Sequence, residues 1–537
     1  MPANPLPERL KKHIVCAEGC TRRQGIIQKK QQEENSVKRL SILVLALVFS
    51  IAAALPVSAA DFKVKGEYKF SYLGLWDTDF YPKSINHKNE DNFQAHQRVR
   101  LQIDAAVNEN LKGVLQFEIG DSQWGYMPAG AAIGADGVNV KTKHAFIAFN
   151  IPQTDLLFQF GIMGVAMPSA VAGNPVLDDD VAATLIRYKF NDMISAVIAW
   201  TRLYDLDKND LTLPNSPGND ELDAWALIIP INGDGWNITP WALFANAGRN
   251  TVCRVIDSRF PVPGSSPNRL DGLLSPAART GLTYAPAFTY NSYLRKQADI
   301  LAWWSGAAIN ISLLDPLIFK LDFIYGALDA QSSVLDRRGW YLAAAVDYKF
   351  DFMTTSLYGW YASGEDGSWK NGSEQMPLIQ SGFRGSSFAF DGSQLLEGGG
   401  ILRDRNSVEG KWAIALAFKD ITFVQDLSHT LRFVYSRGTN DPDSRNITGI
   451  FRNPATFLKQ RNIFMLGYLP DLRAQNIFMT TDDSLIEVNF DHTCMIYENL
   501  AAIIELGYAH LDIGKKTYIN DKTVDAWKVG FGLRYTF

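Results

Sequence analysis

The segment WKVGFGLRYTF, Trp527 to Phe537, alternates without a break. Trp527, Val529, Phe531, Leu533, Tyr535 and Phe537 fall on one parity, and Lys528, Gly530, Gly532, Arg534 and Thr536 on the other. A period of two gives a strand with one wholly apolar face and one polar or small face. Left at the edge of a soluble sheet, that apolar face would invite aggregation. Two environments make it safe: a packed core, or a lipid bilayer around a closed barrel.

The same pattern recurs along the chain in segments of about ten residues, the length a tilted strand needs to cross the hydrocarbon layer. Phe62, Val64, Tyr68, Phe70 and Tyr72 oppose Lys63, Lys65, Glu67 and Lys69; Val99, Leu101, Ile103, Ala105 and Val107 oppose Arg98, Arg100, Gln102 and Asp104. Phe319, Leu321, Phe323 and Tyr325 oppose Lys320 and Asp322. The second parity is too polar for a dry core and is expected to face water. Mean hydropathy is near zero despite 31 Phe, 20 Tyr and 13 Trp, as interleaved apolar and polar surfaces require.

One continuous apolar run stands apart, Leu40 to Leu55, preceded by Lys38 and Arg39 and followed by Pro56 and the small residues Ser58, Ala59 and Ala60. Too short to span comfortably, it has the order of a secretory signal peptide cleaved after Ala59 or Ala60. Residues 37–60 are therefore assigned to the signal, with translation expected to start at Val37, 1–36 to an upstream extension from a misplaced gene start, and 61–537 to one barrel domain. The first 60 residues carry a net charge of +5, so a chain of −5 overall leaves −10 after processing. An acidic exported protein is a poor nucleic-acid binder. Cys253 and Cys494 remain after processing, and whether they pair is left open.

Turn signals come in two sizes. Short ones lie at 108–110, 152–155, 232–235, near Asp315-Pro316, near Asp351 and at 497–499; long ones run through 77–91, 125–139, 164–180, 204–221, 249–296, 364–408 and 439–482. Their alternation predicts short periplasmic turns and long extracellular loops joining eighteen antiparallel strands, with sixteen as the neighbouring count because 222–248 and 297–312 alternate poorly. The fold class is all-β, a transmembrane barrel without a plug domain.

Several stretches resemble the homotrimeric outer-membrane porins of sulfate-reducing, Desulfovibrio-type bacteria: ADFKVKGE (60–67), QRVRLQIDA (97–105), FEIGDSQWG (117–125), VLDDDVA (176–182), YGWYASGEDG (358–367), DLSHTLRFVYSRGTND (426–441) and LIEVNFDHTCMIYENLAAIIELGYAHLD (485–512). The resemblance implies a trimeric, water-filled, mainly diffusive channel. Residues 1–36 and the loops 249–296 and 364–408 depart from the pattern.

By analogy with general porins, the loop from Met163 to Asp180 is expected to fold into the lumen and to carry Asp178, Asp179 and Asp180 to a constriction. Opposing cations would set up a transverse field there. Arg98, Arg100, Arg187, Lys189, Lys320 and Arg432 lie on polar parities, as does Asp322, with Arg98 and Arg100 foremost; an arginine paired with a wall carboxylate such as Asp104 or Glu118 is the plainer alternative for any one of them. Asp205, Asp207 and Asn209 have calcium-loop spacing but lack its glycine and distal glutamate, so a solvated tip is favoured. The six mature histidines show no paired metal spacing in sequence. No G-x-S-x-G nucleophile motif occurs. Tyr535 and Phe537 resemble the C-terminal signal read by the barrel-assembly machinery. The expected activity is passive diffusion of ions and small hydrophilic solutes through the bacterial outer membrane, with no enzyme chemistry and no cofactor; the partners are other copies of the chain, lipid, the assembly machinery and solutes. A ligand-binding or adhesion barrel using its long loops is the alternative.

Overall fold

Period-two alternation becomes strand after strand in the computed structural model, which describes residues 60–78, 80, 93–127, 130–135, 140–205, 221–249, 273, 299–331, 333–368, 371–395, 401, 408–442, 479–514 and 523–537. In chain order the strands are β1 (Asp61–Trp76), β2 (Phe93–Asn108), β3 (Leu111–Gln123), β4 (Val140–Asn150), β5 (Leu156–Ala166), β6 (Asp178–Lys189), β7 (Ser195–Asp205), β8 (Glu221–Ile228), β9 (Ile231–Gly233), β10 (Trp236–Ala247), β11 (Ile300–Leu314), β12 (Leu317–Asp329), β13 (Arg337–Lys349), β14 (Thr354–Ala362), β15 (Lys411–Val424), β16 (Leu427–Gly438), β17 (Ser484–Tyr497), β18 (Leu500–Asp512) and β19 (Ala526–Thr536). β8 and β9 both pair with β10 and are one strand interrupted at Ile229-Pro230, where proline has no N–H to give the ladder. The count is therefore eighteen spans.

Each strand pairs antiparallel with its sequence neighbours, and β1 closes the ring against β19, from Tyr68 opposite Tyr535 to Trp76 opposite Trp527. Gly66 and Phe537 exchange both backbone hydrogen bonds, at 2.9 and 3.1 Å, at the end of this seam. Closure leaves no edge, the condition for a sheet to stand in lipid. The predicted short and long connections alternate as expected; the short turns 190–194 and 425–426 and the longer connections 330–336 and 513–525 add to them.

The C-terminal strand settles which face is which. Trp527 and Val529 are 51% and 50% exposed, whereas Lys528 between them is 2% exposed. The apolar parity therefore forms the outer wall, together with Phe62, Val64, Phe319, Phe323, Leu342 and Phe490. Phe350, Phe352 and Phe423 stack in series at the short-turn rim, as in the aromatic girdle of a membrane barrel.

The interior is not simply polar. Trp241, Leu243, Trp304, Tyr341 and Trp360 point inward and are buried with Met376, Leu378, Phe383, Phe388 and Phe390 from the connection between β14 and β15. Part of that long segment lines the inside of the barrel instead of extending it outward, a correction to its expected place as an extracellular loop. The apolar inner wall gives it something to bury against.

Candidate functional site

Two inner segments shape the lumen. The first is 167–177, between β5 and β6. Its tip is held by Asp322 of β12, whose carboxylate accepts hydrogen bonds from Ser169 Oγ at 2.7 Å, from the Ala170 amide at 2.7 Å and from the Val171 amide at 2.9 Å. The second is 371–395, within the β14–β15 connection. The two are joined by their backbones: the Arg384 amide donates to Ala172 O at 2.7 Å, Gly382 to Asn174 O at 2.9 Å and Ile379 to Val176 O at 2.9 Å.

Wall groups secure the second segment along its length. Trp304 Nε1 donates to Pro377 O at 2.6 Å, and buried Arg337 reaches Met376 O at 2.9 Å and Glu409 at 2.8 Å. Glu487 of β17 accepts from Ser386 Oγ at 2.7 Å and from the Phe388 and Ala389 amides at 3.1 and 3.0 Å. Glu505 of β18 accepts from Ser393 Oγ and the Gln394 amide, both at 2.6 Å, and pairs with Lys528 of β19. Each buried carboxylate is satisfied by amides of the segment it holds, which makes its burial tolerable.

Where the two segments meet the wall, a small opening is lined by Val171 and Ala172 from the first, Arg384 and Gly385 from the second, and Lys320, Ala345, Asp347, Ser356, Tyr358, Lys419 and Arg432 from β12 to β16. Lys320 pairs with Asp347 at 2.8 Å and Lys419 approaches the same carboxylate at 3.8 Å. Lys419 Nζ also lies over the Tyr358 ring, 5.4 Å from its centre, while Tyr358 OH donates to Gly385 O at 2.7 Å. Arg384 is exposed into the space. Four cations face one carboxylate across this lining, an excess of three positive charges. In a narrow aqueous passage with low-dielectric walls, such an excess attracts anions and repels cations.

Of the residues singled out from sequence, Lys320 and Arg432 lie in this lining and Asp322 tethers its neighbouring loop. Arg432 is also 3.7 Å from Asp491. Arg98 and Arg100 are instead tied to wall carboxylates, Arg98 to Glu67 at 2.9 Å and Arg100 to Glu118 at 2.8 Å. Asp178, Asp179 and Asp180 begin β6 and are not carried on the inner segment's tip; Asp180 is held by Lys143 and by His144 Nε2 at 2.9 Å. Arg187 is exposed, and Lys189 bonds Asp192 at 2.6 Å in the following turn. That hydrogen bond from Lys189 holds the Asp192 carboxyl below the usual carboxylate range. Asp205 pairs with Arg202 at 3.1 Å; Asp207 and Asn209 lie outside the described residues. Cys494 is a free, exposed thiol, and Cys253 lies outside the described residues. Tyr535 and Phe537 stack on the outer face, both near Tyr68. Sequence reasoning missed Arg384 and Lys419. Arg384 sits in a loop with no period, and Lys419 is recognisable only by its inward parity on β15.

No protein-family model and no curated protein matches the chain. Among solved structures it is similar to OccAB4 of Acinetobacter baumannii, with 9% identity over 90% of this chain and 100% of that one at a TM-score of 0.46. OprD of Pseudomonas aeruginosa shows 8% identity over 89% and 95% at a TM-score of 0.43. A loop-deletion mutant of OmpT, an outer membrane protein of Vibrio cholerae, shows 10% identity over 89% and 100% at a TM-score of 0.37.

Proposed function

We propose that the chain forms a channel in the bacterial outer membrane through which small hydrophilic solutes diffuse, with anions preferred over cations. The closed barrel with an apolar outer belt and an aromatic rim supports the membrane setting. The observation that carries the preference is the opening lined by Lys320, Arg384, Lys419 and Arg432 against Asp347. Passage requires only that an anion exchange its water for these side chains and leave again, so several weakly attracting cations suit it better than one tight site. The wall carboxylates Glu487, Asp491 and Glu505 lie outside this lining, behind the inner segment whose hydrogen bonds they accept, Asp491 from Ser387 Oγ at 3.1 Å. Lys419 Nζ also donates to Ser356 Oγ at 3.0 Å within this lining, which holds the ammonium beside the opening, and transport without chemistry is the function we assign.

The test is reversal potential in a planar bilayer under a KCl gradient. A potential of the sign set by chloride is expected. Cation preference would overturn the selectivity, and failure of the correctly inserted barrel to conduct would overturn the channel itself.

A further inference from the structure

His429 and His492 are 63 residues apart in sequence, yet the β16–β17 register sets them directly opposite each other. They share the parity of Phe433 and Phe490, which are 43% and 39% exposed, while Val434 and Asn489 on the other parity are buried. The two imidazoles therefore stand on the outer wall. Their Nδ1 atoms are 2.6 Å apart, their ring centres 4.8 Å apart and their planes at 85°. Two protonated rings cannot approach this closely, so at least one is neutral and presents a lone pair toward the other.

Among the described residues no other group bonds that lone pair. Ile421 lies opposite His429 and Ile504 opposite His492, and the Phe490 ring is 4.2 Å from that of His492. No lysine, arginine or carboxylate occupies these flanking positions to repel a cation or to compete for it. The pair sits one step inside the aromatic rim, since Ile421 is two residues from Phe423, and so near the water boundary.

We propose that His429 and His492 form a two-histidine site for a divalent transition cation of the zinc, nickel or copper class, clasping β16 to β17 on the outer wall. Imidazole nitrogen suits these ions. With metal–nitrogen bonds of about 2.0–2.1 Å, two nitrogens on one tetrahedral ion stand roughly 3.3 Å apart, so the rings need open by only about 0.7 Å. Both strands are fixed by pairing on either side, which presents the two nitrogens together and removes most of the ordering cost of chelation. Water completes the coordination: Cys494 lies on the same face, but among the described residues no group of three or more potential ligands is placed to share one ion.

The experiment uses the full folded barrel in detergent, stripped with EDTA and titrated with ZnCl2 at pH 7.5 by calorimetry. His429→Phe, His492→Phe and the double variant keep an apolar outer face, and their folding is checked by circular dichroism. One saturable equivalent is expected for the wild type, weakening as pH falls below the imidazole range because the ligands must be deprotonated. Each single variant should lose at least tenfold in affinity, with the double variant no worse than either. Cys494→Ser should bind as the wild type does. Unchanged binding in the double variant, or no saturable zinc binding in the wild type, overturns the proposal and leaves a proton-sharing histidine pair.

Discussion

Asp322→Ala should release the tip of the inner segment 167–177 and widen the passage. The carboxylate accepts three hydrogen bonds from that tip, two of them from backbone amides. Hydrogen bonds to a charged acceptor contribute about 1.5–3 kcal/mol each. The segment lies beside a wet lumen, so freed amides recover some hydration, and the low end applies, about 4 kcal/mol in all. That is close to a thousandfold shift toward the detached state, at about 1.4 kcal/mol per tenfold. Detachment stays local, because the bonds of Ala172, Asn174 and Val176 to residues 379–384 remain. Single-channel recording should show a larger and noisier conductance. Removing the charge also makes the lumen more positive, and Asp322→Asn separates the two effects: it loses the same charge but keeps one acceptor oxygen. Asn should therefore fall between wild type and Ala in noise, with Ser169→Ala closer to wild type. Equal conductance and noise in all four proteins would show that Asp322 does not position the tip, and identical behaviour of Asn and Ala would show that charge alone matters.

Two further outcomes follow from the same geometry. Arg384→Glu combined with Lys419→Gln takes the lining from an excess of three positive charges to none, since the first change removes two and the second one; the reversal potential should collapse toward zero, and an unchanged value would place the selective region elsewhere. Deleting Phe537 removes the two backbone bonds to Gly66 at the barrel seam, where unpaired groups cost several kcal/mol in lipid, whereas Arg534 lies on the inward parity; outer-membrane levels, read by immunoblot, should fall for the deletion and hold for Arg534→Ala. Equal loss from both would contradict the facing assigned to β19.

The outer wall was legible in sequence because lipid imposes one rule at every outward position, and Phe62, Leu342 and Val529 obey it alike. The inner wall obeys two rules. Where it meets water, alternation persists, and Lys320 or Arg100 is recognisable by parity. Where it meets an inner segment the inward residues are apolar too: Trp241 and Leu243 on β10, and Trp304 on β11 beside Pro377. There the period of two fades, which is why 222–248 and 297–312 alternated poorly. The fading was itself a signal, since an antiparallel strand with two apolar faces in a membrane barrel must have protein on its inner side. The segment that supplies that protein could not be found by periodicity. SGFRGSSFAFDGS, residues 381–393, has neither a period of two nor one of 3.6, and its place is set by pairings such as Ser386 with Glu487 that join positions about a hundred residues apart. The same long reach explains the histidines: His429 and His492 show no metal spacing along the chain because the register of two strands, and not the sequence between them, brings their nitrogens together.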